Sequence, residues 1–457
     1  MISSTESSAG IPFPPDRVKD RMPATGFSLV SCKPTCMDHV FRARLLTAAL
    51  CGLSLLCNGW AAGAQDFNYD ESKVGSHALP ELLRSRDGRQ VRDSRQWERI
   101  RRPEILALFT EHVYGRMPDR PAGMRFVTVK EDGQALGGRA TRKEVDIYFT
   151  GDAEGPVLHL VAWLPNHVPK APVFTGLNFM GNHSVHADTG ITVTDTWRSL
   201  NPGKEAFRAL QSDRWQVDTL IARGYGLATA WYQDLEPDRV DGWRTGVRST
   251  LAEPLGVRAN AWGALAVWGW GLSRILDWLE TEPRVDASRV VATGHSRLGK
   301  GALWGAANDT RFAMVVSNES GEGGAAISRR NFGETVTRIN TNFPHWFIDA
   351  YKSYNGAPER LPVDQHMLLA LIAPRPLYVA SAAEDLWADP TGEYLGAWHA
   401  GPAYALYGRK GLPSSTPPGI NEPVGVTVRY HRRSGKHDVT LYDWQRYLAF
   451  ADDRLGK

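Results

Sequence analysis

Cysteine is scarce in this sequence and confined to one end: Cys32, Cys36, Cys51 and Cys57 are the only four. Everything from Asn58 onward is cysteine-free, which excludes disulfides, thiol nucleophiles and thiolate metal sites there. An excess of one charge is also missing. Lys and Arg total 53 against 50 Asp and Glu, a net charge of +3, so no basic surplus points to nucleic acid or an anionic membrane. Long hydrophobic runs are absent. The longest, "LLTAALCGLSLLC" from Leu45 to Cys57, is too short for a comfortable membrane span. After Gln65 there is no repeat and no low-complexity linker. What remains is ordinary globular composition, 42% hydrophobic and 23% charged over 457 residues.

The N-terminal region reads as a targeting segment. Arg42 and Arg44 form a positive start, the Leu45–Cys57 run is its apolar centre, and Ala62-Gly63-Ala64 supplies a small-residue cleavage site before Gln65. The expected organisation is therefore a leader at 1–36 ahead of a candidate start at Met37, a signal peptide at 37–64, and a single catalytic domain at 65–457. Leu56 is bulky for the residue before a lipidated cysteine, so Cys57 does not read as a lipid anchor. Export to a periplasm or the bacterial exterior is expected, with no membrane contact after cleavage. A cysteine-free chain of this length can hold its fold by its core alone.

The polar stretch from Gln65 to about Gly88 reads as an extended arm. Helical spacing of Ile105, Leu106, Phe109 and Val113 follows, with Ser94 as the expected cap. "EVDIYFT" and "VLHLVAWLP" read as a strand pair. "APVFTGLNF" and "GYGLATAWY" are short apolar runs beside glycine, the pattern of buried parallel strands. A long helix is expected over 262–281. Strands are expected in "SRVVAT", "FAMVVSNE", "RPLYVASA" and "GVTVRYH", with helices in "LGKGALWGAA" and "TLYDWQRYLAFADDRL". Strands alternating with helices predict a three-layer α/β sandwich around a mostly parallel sheet, the α/β-hydrolase plan.

The chemistry centres on "ATGHSRLGKGALWGAAND", residues 292–309, where Ser296 stands between a strand and a helix. A serine hydroxyl needs a base to become a nucleophile, and the hydrolase plan places its acid and then its histidine later in the chain. The usual G-x-S-x-G is here G-H-S-R-L-G, with Leu298 in the second glycine's place, although Gly294, Gly299 and Gly301 keep the corner small. A serine here also suits a helix N-cap. His437 in "HRRSGKHDVT" lies between the last strand and the last helix, where the base belongs; His431 is its competitor, at the end of a strand. Asp385 in "SAAEDLWADP" and Glu319 in "VVSNESGEGG" are both candidate acids, and either can steady an imidazolium. Arg297 follows the serine, so its backbone N–H, and by its charge the side chain, can meet a developing oxyanion. His183 and His186 in "HSVH" lack a partner motif for zinc. No metal and no cofactor is expected.

Several blocks in order carry a specific resemblance: "RRPEILALFTEHVYGRMP", "GLNFMGNH", "VVATGHSRLGKGALW", "SNESGEGGAAISRRNFGETV", "INTNFPHWF", "SAAEDLWADPTGEY" and "GKHD". The chain resembles the glucuronoyl esterases, carbohydrate esterase family 15. The resemblance implies a two-step serine esterase with Ser296 as nucleophile, His437 as base and Arg297 in the oxyanion site. The acid it implies is Glu319, Asp385 or both, and the close fit of "NESGEGG" favours Glu319. It further implies Lys300, Glu334 and Trp387 as contacts to the hydroxyls of a glucuronic acid ring. Fungal members carry a cysteine before the serine; here that residue is His295, as in bacterial members, and a packing role is expected of it. The implied substrates are esters joining glucuronic acid of glucuronoxylan to lignin alcohols. An acetyl-removing carbohydrate esterase and a non-catalytic sugar binder are the competing readings, the latter opposed by the intact Ser296, His437 and acids. No nucleic-acid partner is expected, and a monomer is.

Overall fold

In the computed structural model, residues 67–150 and 155–456 are described. The leader and signal-peptide expectations, and all four cysteines, lie outside them. Asp66–Lys457 forms one compact unit.

Ten strands form one sheet: β1 (Arg125–Gln134), β2 (Ala140–Tyr148), β3 (Val157–Pro165), β4 (Ala171–Asn178), β5 (Gly226–Trp231), β6 (Val285–His295), β7 (Met314–Asn318), β8 (Leu377–Ala382), β9 (Val424–Gly425) and β10 (Val428–Arg433). Their spatial order is β1-β2-β3-β5-β4-β6-β7-β8-β10-β9. The block from β5 to β10 is parallel. Antiparallel pairs close both edges.

Alternation along the central strands builds two separate apolar layers. Val290, Ala292, Val315, Leu377 and Val379 enter the core on one face, with the helices below. Val291, Met314, Val316, Tyr378 and Ala380 enter the core on the other, against Trp444, Tyr447 and Phe450. Both faces are covered because each strand is apolar on both, as parallel sheets require. The five helices used here are α1 (Arg102–Phe109), α2 (Ala264–Leu279), α3 (Arg297–Asn308), α4 (Pro390–His399) and α5 (Leu441–Leu455). Every residue of α2 is buried, and its two charged residues, Arg274 and Asp277, pair with each other at 2.7 Å.

Two local expectations need correction. The first helical segment is capped by Asp93, which accepts the Gln96 N–H at 2.8 Å, so Ser94 is already inside it. Wide π-type turns flank α1 at Trp97–Arg101 and Thr110–Tyr114. The strand β1 was not expected at all. Its Lys130-Glu131-Asp132 stretch is charged, with Lys130 and Glu131 exposed and Asp132 half-buried, so it shows little apolar alternation. Charge along an edge strand keeps it from pairing with another chain, and that hides it from a hydrophobicity reading.

Candidate active site

Ser296 follows directly on β6 and begins α3 with φ 56° and ψ −130°, left-handed backbone that a non-glycine residue rarely adopts. Its N–H donates to the Asn318 carbonyl at the end of β7, 2.9 Å away. Its own carbonyl accepts from Gly299 and Lys300, closing the first turn of α3. The hydroxyl makes no capping bond, so this serine is not there as a helix cap. The corner is tight because two glycines cross. A Cβ on Gly294 would lie 2.2 Å from the Leu298 carbonyl oxygen, and one on Gly299 3.0 Å from that of Gly294. Leu298, in the usual glycine place, is buried and belongs to the apolar core.

His437 stands in the loop between β10 and α5. Its Nδ1 is 2.6 Å from Asp385 Oδ2 and 3.0 Å from Glu319 Oε2. The two acids leave the ends of β8 and β7, adjacent strands, so their carboxylates converge on one nitrogen. Burial alone would push the His437 imidazole down, but Asp385 and Glu319 hold it up at about 9. Glu319 is itself strained, at φ 46°, and is buried. Burial pushes its carboxyl up to about 7 against the pull of His437 and Arg433.

Arg433 was not singled out from sequence. Its guanidinium donates to Glu319 Oε1 at 2.7 Å and to Asp443 Oδ2 at 2.9 Å. It also donates to the carbonyls of Lys436 and Asp438, bracing the loop on either side of His437. The rival, His431, is completely buried and occupied at both nitrogens, by Tyr378 and by Asp443. It has no free nitrogen for a substrate.

His295 packs its ring 4.4 Å from that of His437, at 40°. Its Nδ1 lies 2.6 Å from Asn318 Oδ1. Burial, with His437 and Arg214 nearby, pushes this imidazole well below the ordinary range. A neutral ring against the face of His437 is the packing role expected of it.

The Arg297 guanidinium pairs with Asp238 and lies over Trp346 (4.8 Å) and Phe343 (5.5 Å). Its Nε–H has no hydrogen-bond partner among the described residues. Asp238 is the second residue missed from sequence. It also accepts from His345 and Trp346 Nε1, both at 2.8 Å, and from the Tyr232 hydroxyl at 3.0 Å. Burial raises its carboxyl, but His345, Arg297 and Trp346 together hold it down at about 2. Four donors on one carboxylate have no signature in a linear sequence.

Lys300 sits one turn after Ser296 on the same face of α3. It is buried, with Nζ 2.5 Å from the Ser320 carbonyl and 3.8 Å from Glu334 Oε2. Glu334 is buried too, and its N–H donates to the Trp387 carbonyl at 2.9 Å. Burial lowers the Lys300 ammonium and raises the Glu334 carboxyl, each partly offset by the other. The two are thus interior residues rather than a solvent-facing lysine and carboxylate, while Trp387 is half-buried.

His183 and His186 do not meet as metal ligands. His186 Nε2 is 3.1 Å from Asp218, and His183 packs edge-on against Trp197. Among the described residues, the one His/Asp/Glu group spaced for a metal is His295, Glu319 and His437. Of its members, Glu319 lies against His437 Nδ1, and His295 Nδ1 faces Asn318. Among the same residues no helix is long and apolar enough to cross a membrane.

A mostly parallel ten-stranded sheet, a serine corner after a central strand and a histidine after the last long one define an α/β-hydrolase. A family profile described as "Glucuronyl esterase, fungi" matches residues 256–408. A carbohydrate esterase from an unknown prokaryotic organism is 43% identical over 409 residues, covering 86% of this chain and 93% of that protein. A 4-O-methyl-glucuronoyl methylesterase of Schizophyllum commune is 26% identical over 382 residues, 81% of this chain and 83% of that one. The solved structure of a glucuronoyl esterase from Solibacter usitatus superposes with a TM-score of 0.80 at 48% identity, over 84% of this chain and 100% of that chain. The chain belongs to the glucuronoyl esterase family, carbohydrate esterase family 15. It is a carboxylic ester hydrolase.

Proposed function

We infer that the protein hydrolyses esters between (4-O-methyl-)glucuronic acid of glucuronoxylan and lignin alcohols, through an acyl-enzyme on Ser296. The observation that carries this is a serine in a strained corner, its hydroxyl unused as a cap, directly after His295, whose ring packs 4.4 Å from that of a histidine with two carboxylates on its Nδ1. In this reading His437 accepts the Ser296 proton as the oxygen attacks the uronate carbonyl. Asp385 and Glu319 stabilise the imidazolium that forms. The backbone N–H of Arg297, with its guanidinium clamped by Asp238, meets the developing oxyanion. His437 then gives its proton to the departing alcohol, and a water activated by the same imidazole releases the acid.

Lys300, Glu334 and Trp387 hold the hydroxyls of the uronate ring. A lysine–glutamate pair 3.8 Å apart offers donors and acceptors to adjacent hydroxyls, and an indole adds an apolar face and an N–H. The enzyme works outside the cytoplasm after loss of its signal segment, as a monomer and without a metal.

The deciding experiment compares benzyl glucuronate with acetylated xylan, with and without EDTA, for the wild type and Ser296→Ala. Turnover of the uronate ester that survives the chelator and disappears in the variant is expected. Preference for acetylated xylan would move the protein to the deacetylase reading, and near-normal activity of Ser296→Ala would overturn the nucleophile.

A further inference from the structure

The first described residues form the extended arm expected from the sequence, and this arm ends against the sugar-side residues. Asn68 accepts the Gly333 N–H through its carbonyl at 2.9 Å, one residue before Glu334. Glu71 pairs at 2.7 Å with Arg330, which is buried and also bound to Asp389. A short turn at Glu71–Lys73, capped by Asp70, starts at the second of these points. The fastening leaves two aromatic rings outside the core. Phe67 is 37% exposed and Tyr69 44%, and Leu386, the residue before Trp387, is 41% exposed.

These rings are placed rather than scattered. Residues two apart on an extended chain share a side, and the Phe67 and Tyr69 rings are 6.2 Å apart. Phe67 meets Trp387 edge-on at 5.0 Å, and Arg338 lies over its ring at 5.0 Å. Tyr69 meets Phe332 edge-on at 6.2 Å. Burial raises the Tyr69 phenol, and the charge of Asp385 adds to the shift. Exposed apolar rings beside a site are what a ligand covers, since a monomer otherwise keeps such surface scattered. The cleft beside Arg297, lined by Phe179, Trp197 and Tyr232, shares no residue with the arm. The arm therefore belongs with Trp387, on the acyl side, and not with Arg297.

We propose that Phe67 and Tyr69 form a carbohydrate subsite that stacks on the xylan backbone carrying the uronate. Resting on the uronate reading above, this makes the arm a specificity element for polymer-borne esters. Xylose rings have apolar C–H faces and polar rims. The Phe67 and Tyr69 rings, tilted at 39° to one another next to Trp387, offer apolar surface to the former, and the hydroxyls stay in water.

The test compares two substrates for the wild type, Phe67→Ala, Tyr69→Ala and the double variant: benzyl glucuronate, and a benzyl glucuronoyl ester carried on xylotetraose. Expected is a kcat/KM loss on the xylotetraose ester that exceeds the loss on benzyl glucuronate by roughly tenfold in the double variant, mostly through KM. Tyr69→Trp should retain the wild-type ratio. Equal losses on both esters would make the arm a mere support for Trp387 and overturn the subsite alone, as would no loss on either. A wild type inert on both esters would overturn the uronate reading and the subsite with it.

Discussion

His437 has one Nδ1–H to give and two carboxylates waiting for it. Asp385 is nearer, at 2.6 Å against 3.0 Å, and Glu319 divides its charge among Arg433, the Asp438 N–H and the imidazole. The sequence blocks favour Glu319; the geometry weights Asp385. The pH dependence follows from the same contacts. Carboxylates at Nδ1 favour the imidazolium, so His437 titrates above the ordinary imidazole value, at about 9. The base works only when neutral, so kcat/KM falls as pH drops through that value and its acid limb lies above pH 6.5. Removing a carboxylate lowers the imidazole and moves the limb to lower pH. We expect Asp385→Asn to reduce turnover by at least about a hundredfold, short of the roughly 10⁴ known for the single acid of a serine protease because Glu319 remains. Glu319→Gln should cost less, and the double variant should approach Ser296→Ala. kcat/KM–pH profiles of the four variants decide it. A neutral Asp385→Asn beside a crippled Glu319→Gln would reverse the assignment.

Between elements, the serine corner depends on how closely α3 lies on α2. The approach is made by glycines: a Cβ on Gly305 would stand 2.6 Å from the Gly269 carbonyl oxygen, and one on Gly269 2.6 Å from that of Gly301. A methyl there must part the helices. We expect Gly305→Ala to destabilise by about 1–3 kcal/mol from overpacking, reduced by the better helix propensity of alanine. Gly301→Ala is the control, because its nearest neighbour is 3.5 Å away, an ordinary contact. It should be neutral or slightly stabilising. Urea denaturation of both variants tests this, and equal stabilities would remove close packing as the reason for Gly305. Legibility at this scale follows apolar content. The fully buried α2 and the central strands stand out in the sequence, whereas β1, charged along an exposed edge, does not.

For the molecule as a whole, the open question is where the exported chain starts, and the signal segment is expected to end before Gln65. A mature N-terminus near Gln65 would leave Phe67 and Tyr69 attached and remove every cysteine. Intact-mass measurement on protein exported by a bacterial host should find that terminus. A product retaining Leu45–Cys57 would count for an anchor, and one starting beyond Tyr69 would remove the aromatic arm. The parallel sheet explains why the site can draw on distant residues. Its adjacent strands β6, β7, β8 and β10 deliver Ser296, Glu319, Asp385 and His437 to one edge, where open α/β sheets place ligands.

The sequence by itself determined the layers, the corner at Ser296 and the order serine, acid, histidine. These rest on local patterns: alternation along a strand, helical spacing, and small residues at a turn. The tertiary structure enclosed His431, bonded at both nitrogens, where loop position in the sequence had already set His437 ahead of it. It alone brought two acids to one nitrogen and gave Arg297 its partner Asp238 and Glu319 its partner Arg433. Those contacts join residues far apart in the chain, 52 positions for His437 with Asp385 and 114 for Arg433 with Glu319. Which of them meet depends on which strand ends become neighbours in the sheet, and no periodicity in the chain encodes that.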